Sequence, residues 1–161
     1  VRALIADMMG IADETIRQVR ELSGEIWPSI LEVAGIVEAL ENQVSEYENY
    51  SEFKIHFHTE VVEAQLNKDK ALAVYRIVQE AFTNILRHAG ASHVYVRVYI
   101  RDHNFCVRIE DDGSGFIPHE EDKMLTFGLL SMKERASMFG GSLDIKTSQG
   151  RGTSLLLAIP C

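Results

Sequence analysis

Glu110-Asp-Asp-Gly-Ser-Gly-Phe116 follows directly on a strand-like run, Phe105 to Ile109, and its reading decides the fold. An acid at the end of a buried strand, with glycines at two-residue spacing behind it, can present a carboxylate into a pocket. Glycine lets the backbone turn sharply and approach a ligand closely, because no side chain intervenes. Alone, Asp-x-Gly-x-Gly is equally the composition of an ordinary turn between two strands. The surrounding sequence separates the two readings.

Upstream, His93 to Ile100 alternates Val94, Val96, Val98 and Ile100 with polar residues, and Asn104 to Asp111 alternates Phe105, Val107 and Ile109. With Asp102-His103 between them, they predict a hairpin with one buried face. Further back, Lys68 to about Ala89 is the strongest helical pattern in the chain, and Gly90 is a natural stop. Lys54 to Thr59 reads as a short strand. Downstream, 117–127 is polar and irregular, with the character of a mobile lid. Gly128 is expected to open a helix to Phe139, ended by Gly140-Gly141, and Ser142–Thr147 with Thr153–Ile159 form a last strand pair. Two amphipathic helices are expected at the start. One spans 3–24; the other runs from Ile30 to about Glu48, with Ser29 as its N-cap. This order suits a largely antiparallel sheet covered on one face by helices.

Composition narrows the function classes. The chain has 161 residues, 46% hydrophobic and 25% charged, as expected of a globular domain with a sizeable core. A net charge of −8, with no basic run, argues against nucleic acid as a partner. No stretch reaches the eighteen or so apolar residues of a membrane span. The first residue is Val, so an excised piece is expected, with any membrane segment upstream. Cys106 and Cys161 read as free thiols of a cytoplasmic protein. His56 and His58 alternate on a strand without a Cys or carboxylate partner, which makes a weak case for a metal site.

On the 68–89 helix, Glu80, Asn84 and Arg87 fall within an arc of about 60° at 100° per residue, opposite Val74, Val78, Ala81, Phe82 and Ile85. A solvated stripe would look similar. Asn, however, is a poor mid-helix residue. Its amide oxygen can complete the shell of a hydrated Mg²⁺, and Glu80 could hold a metal-bound water or accept a proton. Arg87 and His88 could face phosphate oxygens. The Asp111 carboxylate, acceptor-only, suits an exocyclic amine such as that of adenine. Gly113 and Gly115 would admit the base, and free N–H groups at a helix starting at Gly128 would favour phosphate. There is no Gly-x-x-x-x-Gly-Lys-[Ser/Thr], so this is not a P-loop.

In order, Glu80-Ala-Phe-Thr-Asn84-Ile-Leu-Arg-His88-Ala resembles the N box of the gyrase, histidine kinase and MutL ATPase superfamily, and Asp111-Asp-Gly113-Ser-Gly115-Phe116 resembles its G1 box. Thr126-Phe-Gly128-Leu129-Leu-Ser-Met-Lys-Glu-Arg135 to Gly141 is similar to the G2 box, and Gly150-Arg-Gly152-Thr153 to the closing turn. The wording is closest to sensor histidine kinases of the nitrate/nitrite-sensor type. The resemblance implies an α+β two-layer sandwich of the Bergerat type: a mixed, mostly antiparallel sheet with helices on one face, plus the N-terminal helical segment. It divides the chain into 1–50, the C-terminal part of dimerisation and linker helices, and 51–161, the ATP-binding catalytic domain. The cofactors it implies are ATP and Mg²⁺. Asn84 and Glu80 would hold the metal, with Glu80 the candidate catalytic residue. Asn84, Arg87, His88, Asp111, Gly113, Gly115, Phe116, Gly128, Leu129 and Thr153 would bind the nucleotide.

The activity implied is transfer of the γ-phosphoryl group to a His on an upstream helix, for relay to a response regulator with LuxR-like output, within a homodimer formed through upstream helices. Residues 1–27 contain no His. Trp27 stands where the family usually has Arg, and Ser131 where it often has Gly. The absent His and Ser131 motivate one alternative, a nucleotide-binding regulatory or dimerisation module without transfer; another, a serine kinase of the anti-sigma-factor type, shares the same ATPase boxes, though the Trp27-Pro28 linker and the Met-Lys-Glu-Arg helix count against it.

Overall fold

The computed structural model describes residues 28–116, except 63 and 65, and residues 123–161. The expected helix at 3–24 lies outside them. The elements in chain order are α1 (Ser29–Val33), α2 (Gly35–Tyr50), β1 (Lys54–Thr59) and α3 (Lys68–Asn84), which continues into a π-helical turn (Ile85–Ala89). They are followed by β2 (His93–Arg101), β3 (Asn104–Asp111), α4 (Lys123–Met138), β4 (Ser142–Thr147) and β5 (Thr153–Pro160).

The five strands form one sheet in the order β1-β2-β3-β5-β4. Only β1 and β2 pair in parallel, Ile55 opposite Val94; the other three pairings are antiparallel. Parallel neighbours need a long crossover, and α3 supplies it. Period-two alternation sends Ile55, Val94, Val96, Val98, Phe105, Val107, Ile109, Leu155, Leu157 and Ile159 to one face, where all are buried. Packed against them are the apolar sides of α2 (Ile36, Leu40, Val44, Tyr47), α3 (Val74, Ile77, Val78, Ala81, Phe82) and α4 (Met132, Ala136). The fold class is the expected α+β sandwich.

Local chemistry explains where α3 begins and ends. Asn67 is its N-cap, the side-chain oxygen accepting from the Lys70 N–H at 2.9 Å. Gly90 closes the π turn with φ 56°, a left-handed conformation that glycine adopts without a Cβ penalty. Between α2 and α3, the Tyr47 hydroxyl lies 3.0 Å from Thr83 Oγ1 while its ring stacks on Phe82.

Three sequence expectations need correction. The helix expected from Ile30 to about Glu48 is two helices, broken at Ala34, because Gly35 takes φ 81°. Ser29 is not the cap: Pro28 occupies the N-cap position and no side chain caps the end. The later helix does not open at Gly128. It starts at Lys123, so Gly128 is its sixth residue and its N–H is not among the free groups of a helix end. The proposed lid is thus partly helical, and residues 117–122 lie outside the described residues.

Cys106 is buried on β3, with its thiol 3.6 Å from the Asn104 carbonyl, and burial pushes its pKa up; Cys161 is exposed. The thiolate is the reactive form. One thiol per chain should therefore react promptly with Ellman's reagent, and the second only after unfolding in denaturant. Two fast thiols would contradict the packing around β3. His56 does find a partner, though not His58: its Nε2 lies 3.2 Å from His93 Nδ1 across the β1–β2 pairing.

Candidate functional site

The end of β3 carries two aspartates with opposite duties. Asp112 is exposed, and its Oδ1 accepts from the Ser92 and His93 N–H groups at 2.7 and 2.9 Å. These bonds hold its pKa below the usual carboxylate range, and they pin the turn after Gly90 to the strand end. Asp111 is buried, facing inward, with Thr153 as its partner in register on β5. Burial pushes its pKa up, opposed by hydrogen bonds from Gly113 (N–H to Oδ1 2.9 Å) and from Thr153. This is a half-satisfied carboxylate looking into a cavity.

The loop behind it depends on missing side chains. A Cβ on Gly113 would lie 2.4 Å from the Ala89 carbonyl oxygen and 2.8 Å from Asp111 Oδ1. Gly115, with φ 58°, passes so close to the Ser148 carbonyl that any Cβ would overlap it. Thr147 locks the far side: its hydroxyl accepts from the Phe116 N–H at 2.9 Å and lies 3.3 Å from Thr153 Oγ1.

Asn84, at the end of α3, shares a cavity of about 60 Å³ with Asp111. Asn84, His88, Asp111, Gly115, Phe116, Leu129 and Thr153 line it, together with Ala81, Ile85, Ala89, Ile109, Met132, Ile145 and Leu155. The walls are thus largely apolar with a carboxylate at one end, the arrangement that orients a flat, partly polar ligand. Arg87 is exposed and not among the lining residues. The π turn beginning at Ile85 closes i→i+5, so each later residue lags behind its α-helical position, and His88 rather than Arg87 reaches the cavity. The apolar lining was not singled out from sequence. Met132, inside Met-Lys-Glu-Arg, and the inward positions of β3 and β5 carried its signal.

Glu80 and Gly128 do not line the cavity but meet beside it. A Cβ on Gly128 would fall 2.5 Å from Glu80 Oε1 and 3.9 Å from Asn84 Nδ2, so α4 crosses α3 at its polar stripe. Asn84 Nδ2 is fully buried and makes no hydrogen bond. An unpaired buried amide is costly, and it points to a missing partner. Since neither amide orientation is fixed by a bond, a half-turn would present Oδ1 at the same place. An amide oxygen one helical turn from a carboxylate fits Mg²⁺, which takes few protein oxygens and keeps its waters.

The chain matches the family described as histidine kinase-, DNA gyrase B-, and HSP90-like ATPase over residues 69–161. It is 31% identical over 156 residues to the signal transduction histidine-protein kinase/phosphatase DegS of Brevibacillus brevis, covering 97% of this chain and 40% of that protein. It is 31% identical over 151 residues to the oxygen sensor histidine kinase NreB of Staphylococcus carnosus (strain TM300), covering 94% and 44%. Among solved structures, the blue-light activated histidine kinase of Erythrobacter litoralis EL346 superposes with a TM-score of 0.63 at 25% identity, over 75% of this chain and 40% of that one. Acinetobacter baumannii AdeS gives 0.66 at 12% identity, over 99% and 85%, a likeness of fold alone. The chain spans less than half the length of the two curated relatives.

Proposed function

Because the chain belongs to the histidine kinase-, DNA gyrase B- and HSP90-like ATPase family, we propose that its cavity binds Mg-ATP for phosphoryl transfer to a histidine. The observation that carries this reading is the shared cavity of Asp111 and Asn84. Asp111 would accept the adenine amine, with Thr153 and Gly113 holding the carboxylate in orientation. Gly115, Phe116, Leu129 and Met132 would sandwich the base. Asn84, and Glu80 through a bound water, would hold Mg²⁺, which supplies charge neutralisation along the triphosphate; His88 would face phosphate oxygens. A cavity of about 60 Å³ is far below the roughly 300–1,000 Å³ of ligand pockets, so nucleotide entry would lift the first turns of α4 away from Glu80.

The chemistry would be in-line displacement. An imidazole nitrogen bonds to the γ-phosphorus, the bond to the bridging oxygen breaks, and ADP leaves with that oxygen's electrons. Such a transfer depends chiefly on positioning and electrostatics. Glu80 stands where it could accept the imidazole proton. The acceptor would be the upstream helix of a homodimer, and the phosphoryl group would pass to a response regulator with LuxR-like output. Among the described residues no helix is long and apolar enough to cross a membrane.

The test is to mix this chain with a separate fragment carrying the upstream His helix and with γ-labelled ATP. Acid-labile label on the helix is the expected result. Binding of ATP without label on the helix would favour a regulatory module, and label on serine would favour the anti-sigma-factor type of kinase.

A further inference from the structure

Three polar side chains stand in one row across the covered face of the sheet. Thr147 on β4 pairs with Thr153 on β5, and Thr153 pairs with Asp111 on β3. The inward positions before them in β3 and β4 and after them in β5 are apolar: Val107 and Ile109, Leu143 and Ile145, Leu155 and Leu157. An inward threonine at the end of an edge strand therefore needs a reason other than packing. Thr147 is half-buried, and it does not line the cavity that Asp111 and Thr153 share.

A threonine hydroxyl has one proton to give and two lone pairs with which to accept. At Thr147 all three have partners. Its Oγ1 accepts from the Phe116 N–H at 2.9 Å and from the Thr153 hydroxyl at 3.3 Å. Its own proton faces the Phe116 and Gly152 carbonyl oxygens, each at 3.4 Å. Thr153 is the opposite case: its single proton has two acceptors in reach, Thr147 Oγ1 and the Asp111 carboxylate. An ionised carboxylate with no other partner is the stronger of the two, since charge-assisted bonds are roughly twice as strong as neutral ones. A ligand amine arriving at that carboxylate competes with the hydroxyl for it. A hydroxyl displaced there with no second acceptor would lose its bond and count against the ligand. Thr147 is that second acceptor.

We propose that Thr147 is a positioning residue for purine recognition, taking over the Thr153 hydroxyl when the exocyclic amine of the base occupies Asp111. The inference rests on reading the cavity as an adenine-nucleotide site, and it adds to that reading a determinant outside the cavity, on the edge strand. Without the amine, the Thr153 proton is shared with the carboxylate. With the amine in place it belongs to Thr147, and no donor in the row is left unmade. The Phe116 N–H that Thr147 also holds belongs to the cavity wall, so that bond serves every ligand of the cavity alike. Only the exchange at Thr153 depends on the amine.

The experiment measures, by calorimetry, binding of Mg-ATP and of the magnesium complex of purine riboside 5′-triphosphate, which lacks the 6-amino group. Wild type is compared with Thr147→Val, Thr147→Ala, Thr147→Ser, Thr153→Val and the double variant Thr147→Val/Thr153→Val. In Thr147→Val and Thr147→Ala the preference for ATP over the amine-free analogue should fall about threefold to tenfold, the worth of one neutral hydrogen bond. Loss of the Phe116 bond lowers both affinities by the same factor and leaves their ratio alone. Thr147→Ser keeps the hydroxyl and should keep the wild-type preference. In the Thr153→Val background, Thr147→Val should change the preference by less than about twofold, because the hydroxyl it serves is gone. An unchanged preference in Thr147→Val and Thr147→Ala, a Thr147→Ser no better than Thr147→Val, or a full further loss in the Thr153→Val background would each overturn the proposal. A wild-type chain that binds neither nucleotide, or both equally, would instead remove the adenine reading of Asp111, and this inference with it.

Discussion

Asp111→Asn should cost about 3 kcal/mol of ATP affinity, roughly a hundredfold, while leaving the nucleotide-free fold as stable as before or more so. The reasoning starts from the donors already present. Gly113 and Thr153 point N–H and O–H groups at the carboxylate, so an asparagine would turn its carbonyl oxygen toward them. Its NH₂ would then face the cavity and oppose the adenine amine, donor against donor. Titration calorimetry checks the affinity. Equal affinity of the two proteins would remove the adenine role.

The pH dependence follows from the same burial. The pKa of Asp111 is raised in the folded chain, so folding favours its protonated form. Its contribution to stability is therefore fully present below the unfolded pKa and is lost as pH rises through the folded one. Ligand affinity should run the opposite way, falling as pH drops through that raised pKa, since only the ionised group accepts from the amine without competition. Asp111→Asn should abolish both slopes.

The largest stability effect belongs to Gly152→Ala. Gly152 has φ 70°, and a Cβ there would overlap the Asp111 carbonyl oxygen and lie 2.9 Å from its carbonyl carbon. Left-handed alanine alone costs about 1–2 kcal/mol. The neighbour is backbone, fixed by the pairing of Asp111 with Thr153, and cannot rotate aside as a side chain would. A loss of about 4 kcal/mol or more is expected, read as a fall in the urea midpoint. Gly90→Ala is the control: φ is 56° but nothing lies within 4 Å of the new Cβ, so only about 1 kcal/mol should be lost. Similar effects at the two positions would mean that the β3–β5 junction is not as tightly closed as described.

Much of this architecture is written in local patterns. The β2–β3 hairpin shows itself in strict alternation and in Asp102-His103, both of which take positive φ. α3 is marked by its periodicity, by Asn67 and by Gly90. Features set by distant partners are harder to see. Nothing near Lys54–Thr59 says that it pairs in parallel with β2, or that His56 meets His93. The π turn at Ile85–Ala89 has no sequence signature, yet it decides that His88 and not Arg87 lines the cavity. Gly128 was not legible as the sixth residue of a helix, because the polar stretch before it resembles a loop. Thr147, which holds Phe116 and Thr153 through one hydroxyl, reads in isolation as an ordinary strand threonine.

The claim beneath all of this is that one ligand engages residues 84 and 111 together. Titrating the ¹⁵N-labelled chain with Mg-ATP while following the Asn84 side-chain amide and the Gly113 backbone amide by NMR tests it directly. Both resonances should shift with a single common midpoint, and adenosine should move Gly113 while leaving Asn84 nearly in place. If Mg-ATP shifts neither, or shifts them at separate midpoints, the two groups do not grip one nucleotide and the account fails.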